Sequence, residues 1–400
     1  MNSYEAAVRN IFSTAGIEVN GTADHDIKVN NPDFYRIFLK DGRLGMGESY
    51  MDRMWDSANL TAMYEKLIVS SDLLAHRVKR TDILWALLMS KAAPKGSLGR
   101  SNEIAGAHYS LGNDLFEAFL DPYKQYSCAY WETGAKTIEE AQLAKMDMIS
   151  RKLKLEPGMT VLDVGCGWGG LARYMAEKHG VRVVGVSVSE EQIRLGQAAC
   201  KGHDIELRVQ DYRDVPEKFD RIVSVGMFEH VGVKYHRPFF QKMRESMTDD
   251  GLFLLHTIGF HNSKFNHPWL DKYIFPGALP PSMKHVATAA DELMQFEDVH
   301  NIGVNYAPTL LAWHKKFVEN WPQLQDQYDD RFFRMWEYYL LHVVPGFRRR
   351  LTPVWQFVLS KNGLLGGYQR PPQTNISELR PATAVVRKRA EKKIPVMETM

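Results

Sequence analysis

The chain has 400 residues, room for two or three domains, and its 44% hydrophobic and 24% charged content is that of an ordinary globular protein. A formal net charge of +2 is too small to mark a nucleic-acid binder, so any basic patch must be local. Cys128, Cys166 and Cys200 form no CxxC pair and no metal-ligand spacing; no metal site is expected, and a reduced, cytoplasmic setting is the default.

The opening MNSYEAAVRN is mixed and polar, unlike a signal peptide, and no apolar run approaches the roughly 18 residues that cross a bilayer. Residues 1–92 read as a small, mainly helical domain. Its first helix, MNSYEAAVRNIFSTAG, has apolar positions at helical spacing and a glycine stop, and two or three amphipathic helices follow from Leu60 onward. The last of these sets Arg77, Lys79 and Arg80 beside Leu84, Trp85, Leu87 and Leu88, a pattern that suits either core packing or an anionic bilayer surface. Residues 93–106 have the Gly, Pro, Ser and charge of a linker.

A catalytic domain is expected over 107–362. After an aromatic-rich stretch, 108–131, strands and helices alternate: TVLDVG, VRVVGV, IELRVQ, FDRIVSVG and GLFLLHTIG. That alternation requires an open α/β sheet, mostly parallel, with ligands at the carboxyl ends of its strands. FEDVH makes a sixth strand and WQFVLSK an antiparallel seventh, with two helices inserted between them as a lid. From 363 to 400 the chain is expected to be disordered, with a basic patch, RKRAEKK, over 387–393 that suits an anionic lipid surface.

The chemistry concentrates at the strand ends. Gly165-x-Gly167-x-x-Gly170 between a strand and a helix lets the backbone pass close under a ligand near free helix N–H groups. Asp163, two residues before the first glycine, can take loop N–H bonds or face a cation. The second strand runs into Ser187 with no acidic residue to hold an NAD ribose, and the third ends in Gln210-Asp211, suited to an adenine edge. Together these features favour S-adenosylmethionine (SAM) over NAD. Gln192 either reaches the ribose beside Ser187 or completes a capping box with Ser189.

The segments YSCAYW, LDVGCGWGGLA, QDYRD, IVSVGMFEHVG, LLHTIG, KYIFP and HNIG, in that order, resemble the bacterial cyclopropane-fatty-acyl-phospholipid synthases over residues 5–362. Mycolic-acid cyclopropane synthases and some plant amine N-methyltransferases share the catalytic half. The resemblance implies a class I SAM-methyltransferase fold, Rossmann-like with a seven-stranded sheet. It implies transfer of a methylene group from SAM to a cis double bond of a phospholipid acyl chain, through a carbocation deprotonated by a bound bicarbonate ion. By motif, Cys128, Glu229, His256, Ile258 and Tyr306 would hold that ion, while Tyr126, Ser127 and Tyr109 would close over SAM. It further implies a homodimer working transiently at the inner face of the cytoplasmic membrane as a peripheral protein. At the end of the last long helix, where relatives carry a cysteine once considered as nucleophile, this chain has Val343.

A cation on carbon demands a dry pocket with π faces, for which Trp131, Phe228, Tyr273, Phe275 and Tyr306 are candidates. Glu229 and His256, ending adjacent strands, are the expected acid–base pair, with His230 read as structural. Cys128 has no basic neighbour in sequence and is assigned a positioning role. The competing reading is SAM-dependent methylation, without ring closure, of a lipid alkene or a small amine.

Overall fold

The computed structural model describes residues 3–70, 112–261 and 267–379. The amphipathic segment with Arg77, the 93–106 linker, Tyr109 and the 387–393 basic patch lie outside the described residues.

Helices α1 (Ser3–Thr14), α2 (Asp33–Met51) and α3 (Leu60–Val69) open the chain, with a two-stranded ribbon pairing Lys28–Val29 with Trp55–Asp56. Asn59 starts α3 by accepting the Ala62 N–H, which satisfies one of the orphan donors of a first turn. After α4 (Asn113–Phe119), the longer α5 (Ile138–Lys152) is capped by Thr137 and leads into the main sheet.

That sheet is built from β1 (Thr160–Val164), β2 (Arg182–Ser187), β3 (Ile205–Val209), β4 (Phe219–Val225), β5 (Met247–Ile258), β6 (Gln295–Asn301) and β7 (Val354–Ser360). Their spatial order is β3-β2-β1-β4-β5-β7-β6. The first five are parallel, and β7 runs antiparallel between β5 and β6. The parallel strands read as apolar runs because helices cover both faces: α6 (Gly170–His179) and α7 (Glu190–Ala199) follow β1 and β2, and α8 (His236–Glu245) follows β4. Chain order reverses between β1 and β4, the switch point where such sheets open a crevice for ligands.

After β5 come α9 (Pro268–Tyr273) and α10 (Met283–Ala290); between β6 and β7 come α11 (Tyr306–Asn320), α12 (Asp330–His342) and α13 (Val344–Arg348). These inserted helices are not a lid on their own. All but α10, whose Val286, Ala289 and Ala290 join a core that flanks the sheet, share one apolar core with α1–α4, separate from the two cores on the sheet. Arg334 of α12 ties them together: its guanidinium donates to the carbonyls of Tyr50 (2.6 Å) and Trp55 (3.0 Å) and to the Asp56 carboxylate (2.7 Å). Tyr50 in turn donates to Glu337 at 2.6 Å. The N-terminal helices therefore complete the roof over the sheet, their core continuous with that of the inserted helices.

The expectation of disorder from residue 363 also needs correction over 363–379. This strap runs from β6 to α5: Arg370 pairs with Asp298 (2.8 Å), Thr374 donates to Asp147 (2.8 Å), Gln373 bonds Tyr130, and Ile376 is buried. Its polar composition looks like linker, yet most of those polar groups have specific partners.

Candidate active site

A cavity of about 460 Å³ opens at the switch point. Its floor is the loop after β1. Gly165 (φ 83°) and Gly167 (φ 55°) hold left-handed backbone that a side chain would strain. At Gly170 the constraint is contact: an added Cβ would run into the carbonyl oxygen of Tyr123, so the glycine lets the 121–128 loop lie against the start of α6. Tyr126, Ser127, Cys128, Asp163, Ser187, Gln192, Glu229, His256, Ile258 and Tyr306 all line this cavity.

Asp163 closes the bottom. It is 2% exposed, and its Oδ2 has no hydrogen-bond partner. Burial lifts its pKa to about 7, against the pull of Lys145. Lys145, fully buried on α5, donates to Gln125 Oε1 (2.6 Å) and Ser127 Oγ (2.8 Å), so it also fixes the loop above it. Desolvation drops its pKa to about 8 even with Asp121, Cys128 and Asp163 nearby. Tyr126 donates its hydroxyl to that of Tyr339 at 3.1 Å, joining the loop to the roof. The Ser189 hydroxyl accepts the Gln192 N–H, but the Ser189 N–H is taken by Ser187 Oγ (3.2 Å) and not by the Gln192 side chain. Only half of the capping box forms, and Gln192 lines the cavity.

Gln210 and Asp211 are not on this cavity. They line an adjoining one of about 370 Å³, which shares Gly165, Ser187, Val188 and Met227 with the first. Their polar groups are engaged: Gln210 donates to the Asp214 carbonyl (2.9 Å), and the Asp211 carboxylate is held by Arg213 (2.7 and 2.9 Å).

The opposite wall carries Glu229 and His256. Glu229 sits on a 3₁₀ turn just past β4; its Oε1 accepts the Ile258 N–H at 2.7 Å, whereas Oε2 is buried with no partner. Burial raises this carboxyl to about pKa 7. The Glu229 carbonyl accepts the Leu279 N–H (2.7 Å), pinning the Pro-rich 274–280 stretch whose Phe275, Pro276 and Pro280 form an apolar side of the cavity. His256, at the end of β5, is 2% exposed and held neutral by burial, with Lys145 and Lys152 also opposing a positive ring. Its Nδ1 meets Gln356 Nε2 at 3.2 Å, and no direct Glu229–His256 hydrogen bond is formed.

Of the five aromatic candidates, Phe275 and Tyr306 face the cavity. Trp131 instead donates to Thr309, Tyr273 to Glu48, and Phe228 stacks on His236 in the sheet core. Phe116, Trp168 and Trp336 supply the other rings. His230, read as structural, lines both cavities. Burial drives the thiols of Cys128, Cys166 and Cys200 above their ordinary pKa, which leaves no described cysteine suited to nucleophilic attack. Sequence reading missed Lys145 and Lys152. Their signal was present on α5, where charge recurs at helical spacing along the stripe of Ala141 and Ile149 that faces inward.

Comparison with known proteins places the chain in a family. The family model "Mycolic acid cyclopropane synthetase" matches residues 97–357. The chain is 46% identical over 370 residues to the cyclopropane-fatty-acyl-phospholipid synthase of Escherichia coli K12, covering 91% of this chain and 95% of that one. It is 36% identical over 278 residues to cyclopropane mycolic acid synthase 3 of Mycobacterium tuberculosis, covering 64% of this chain and 96% of that one. Among solved structures, the mycolic acid cyclopropane synthase CmaA1 complexed with SAH and CTAB superposes with a TM-score of 0.61 at 34% identity, covering 65% of this chain and 98% of that one. Coclaurine N-methyltransferase, at 18% identity and a TM-score of 0.60, shares the fold. The chain belongs to the cyclopropane synthase family of SAM-dependent methyltransferases, and is an enzyme of that family.

Proposed function

We propose that this enzyme transfers a methylene group from SAM to the cis double bond of acyl chains in membrane phospholipids, leaving cyclopropane rings. The observation that carries the reading is the pairing, in one cavity, of a glycine-loop floor with a wall bearing the buried Glu229 and His256, in a chain 46% identical to a phospholipid cyclopropane synthase. Both expected small molecules fit the unpartnered groups: Asp163 Oδ2 lies under the loop that would take SAM, and Glu229 Oε2 offers an acceptor to the hydroxyl of a bicarbonate ion. When bound, SAM supplies the electrophilic methyl group and bicarbonate a proton acceptor.

The chain's own residues supply position and dryness. Lys145 holds Ser127 and the loop that would cover the cofactor, while Asp163, raised to about pKa 7 by burial, would ionise opposite a sulfonium. Glu229 is anchored by the Ile258 N–H, so its outer oxygen has one direction to point. Tyr306, close to both Glu229 and Cys128, and the buried Cys128 thiol are weak donors held neutral, suited to an anion without competing for the proton. Phe275, Tyr306 and Trp336 exclude water from a cation on carbon, which any water would quench. Gln210 and Asp211 serve the adenine end if the two adjoining cavities join around the cofactor. The substrate requires contact with a membrane surface, at the inner face of the cytoplasmic membrane in this reading, as a homodimer; no described helix is long and apolar enough to cross a bilayer.

The test is mass spectrometry of vesicles bearing cis-monounsaturated phospholipid, incubated with protein and SAM. A gain of one CH2 with the alkene lost supports ring formation. A gain with an alkene retained means methylation without closure, and no lipid change redirects the search to small amines.

A further inference from the structure

Behind His256 runs a buried polar chain that the reaction as described does not use. His256, Gln356 and His300 stand in register across β5, β7 and β6, and Lys152 reaches this row from the end of α5. Lys152 is 1% exposed and Gln356 is 0% exposed. The Lys152 Nζ lies 2.9 Å from Gln356 Oε1, 3.0 Å from His300 Nδ1 and 3.8 Å from Asp298.

We propose that Lys152 and Gln356 are positioning residues that fix the ring proton of His256 on Nε2, through the chain Lys152 to Gln356 to His256. Burial lowers the Lys152 pKa to about 7, yet charged or neutral its Nζ keeps N–H donors, and the one 2.9 Å from Gln356 selects the oxygen end of that amide. The amide nitrogen is thereby turned to His256 Nδ1, at 3.2 Å. Flipping the amide would set two donors against each other at Lys152. A donor facing Nδ1 requires a lone pair there, and a neutral imidazole then carries its proton on Nε2. The wall of the cavity gains an N–H that can bind an anion or a carbonyl oxygen but cannot take a proton from substrate while it holds its own.

Stability alone is a poor reason for the chain. Burying an ammonium is costly, and apolar replacements of buried ionic groups are often neutral or stabilising. An apolar side chain in either position would leave the His256 tautomer unspecified. Lys152 has further facing charges in Asp298 and Arg370, which pair with each other across the strap.

The inference rests on the reading of His256 as a residue of the reaction site. Its test begins without activity: 15N-histidine-labelled full-length enzyme, with His256 assigned by its loss in His256→Asn. Wild type is expected to show a pyrrole-type Nε2 and a pyridine-type Nδ1. Gln356→Glu, whose carboxylate accepts from both neighbours, is expected to move the proton to Nδ1 and to lower kcat about tenfold or more, with KM for SAM little changed. Lys152→Met, which frees the amide to turn, should show both tautomers. A proton on Nδ1 in wild type overturns the inference, as does an unchanged tautomer in Gln356→Glu; should that variant fail to fold, the wild-type spectrum decides. Correct tautomers with no product from unsaturated phospholipid would refute the proposed substrate and leave the positioning chain standing.

Discussion

Glu229→Gln is the sharpest perturbation of the site, because it changes charge and one hydrogen-bond polarity at nearly constant volume. The amide oxygen can still accept from the Ile258 N–H, now 2.7 Å from Oε1, so the 3₁₀ turn and the stretch it pins through Leu279 should hold. What is lost lies at Oε2, a buried acceptor with no protein partner that becomes an NH2 donor. A hydrogen bond to a charged group contributes about 1.5–3 kcal/mol, which corresponds to roughly 10–150-fold in kcat. If the carboxylate itself takes the proton, the loss should instead reach about 10²–10⁴-fold. The assay is CH2 gain in cis-unsaturated vesicles by mass spectrometry, alongside calorimetric titration with SAM. Loss of turnover with SAM affinity within about threefold of wild type is expected, given that Glu229 bonds no residue of the glycine loop. Turnover within twofold of wild type would remove Glu229 from the reaction, and an equal loss of SAM binding would make its role structural.

The same variant has a pH signature. A carboxyl raised from 4.5 to about 7 by burial holds its proton in the folded state when the unfolded chain has released it, so its contribution to stability is full below about pH 4.5 and is lost as pH rises toward 7. Relative to wild type, Glu229→Gln should gain up to about 3 kcal/mol between pH 4.5 and 8 in the apo-protein, read by urea unfolding; parallel curves would refute the burial argument. Gly170→Ala should weaken SAM binding more than it lowers Tm, since the added methyl displaces the Tyr123 carbonyl and the loop bearing Tyr126 and Ser127. Cys128→Ala should keep turnover within about tenfold, because a thiol raised by burial is no nucleophile and offers only a weak S–H; complete inactivation with SAM binding intact would contradict that. Truncation after residue 362 should lower Tm by several degrees, from the loss of Ile376 burial, about 1.5–3 kcal/mol, and of the Arg370 and Thr374 contacts.

The sheet and its switch point were legible because apolar runs and glycine turns are local signals. TVLDVG, VRVVGV and FDRIVSVG each became the strand expected, and the loop residues from Asp163 to Gly170 came together on one floor. What depended on distant partners was harder to read. Nothing in WETG or DKYIFP tells that Trp131 and Tyr273 point to Thr309 and Glu48, whereas Phe275 points inward. The 363–379 strap has a linker's composition and an ordered segment's partners. Lys145 and Lys152 look like the solvated face of α5 until the helix phase is compared with the sheet it covers.

The core shared by α1–α4 and the inserted helices bears on how the chain is made in the cell. Arg334, whose guanidinium holds the Tyr50 and Trp55 carbonyls, follows Tyr50 by 284 residues. At about 5–20 residues per second, ribosomes deliver it roughly 15–60 s after the segment it must meet. During that interval the face of Tyr50 that Tyr338 and Arg334 later cover is bare. Newly made N-terminal helices thus depend on being shielded from one another, and a fragment ending before α12 is expected to aggregate when the complete chain does not.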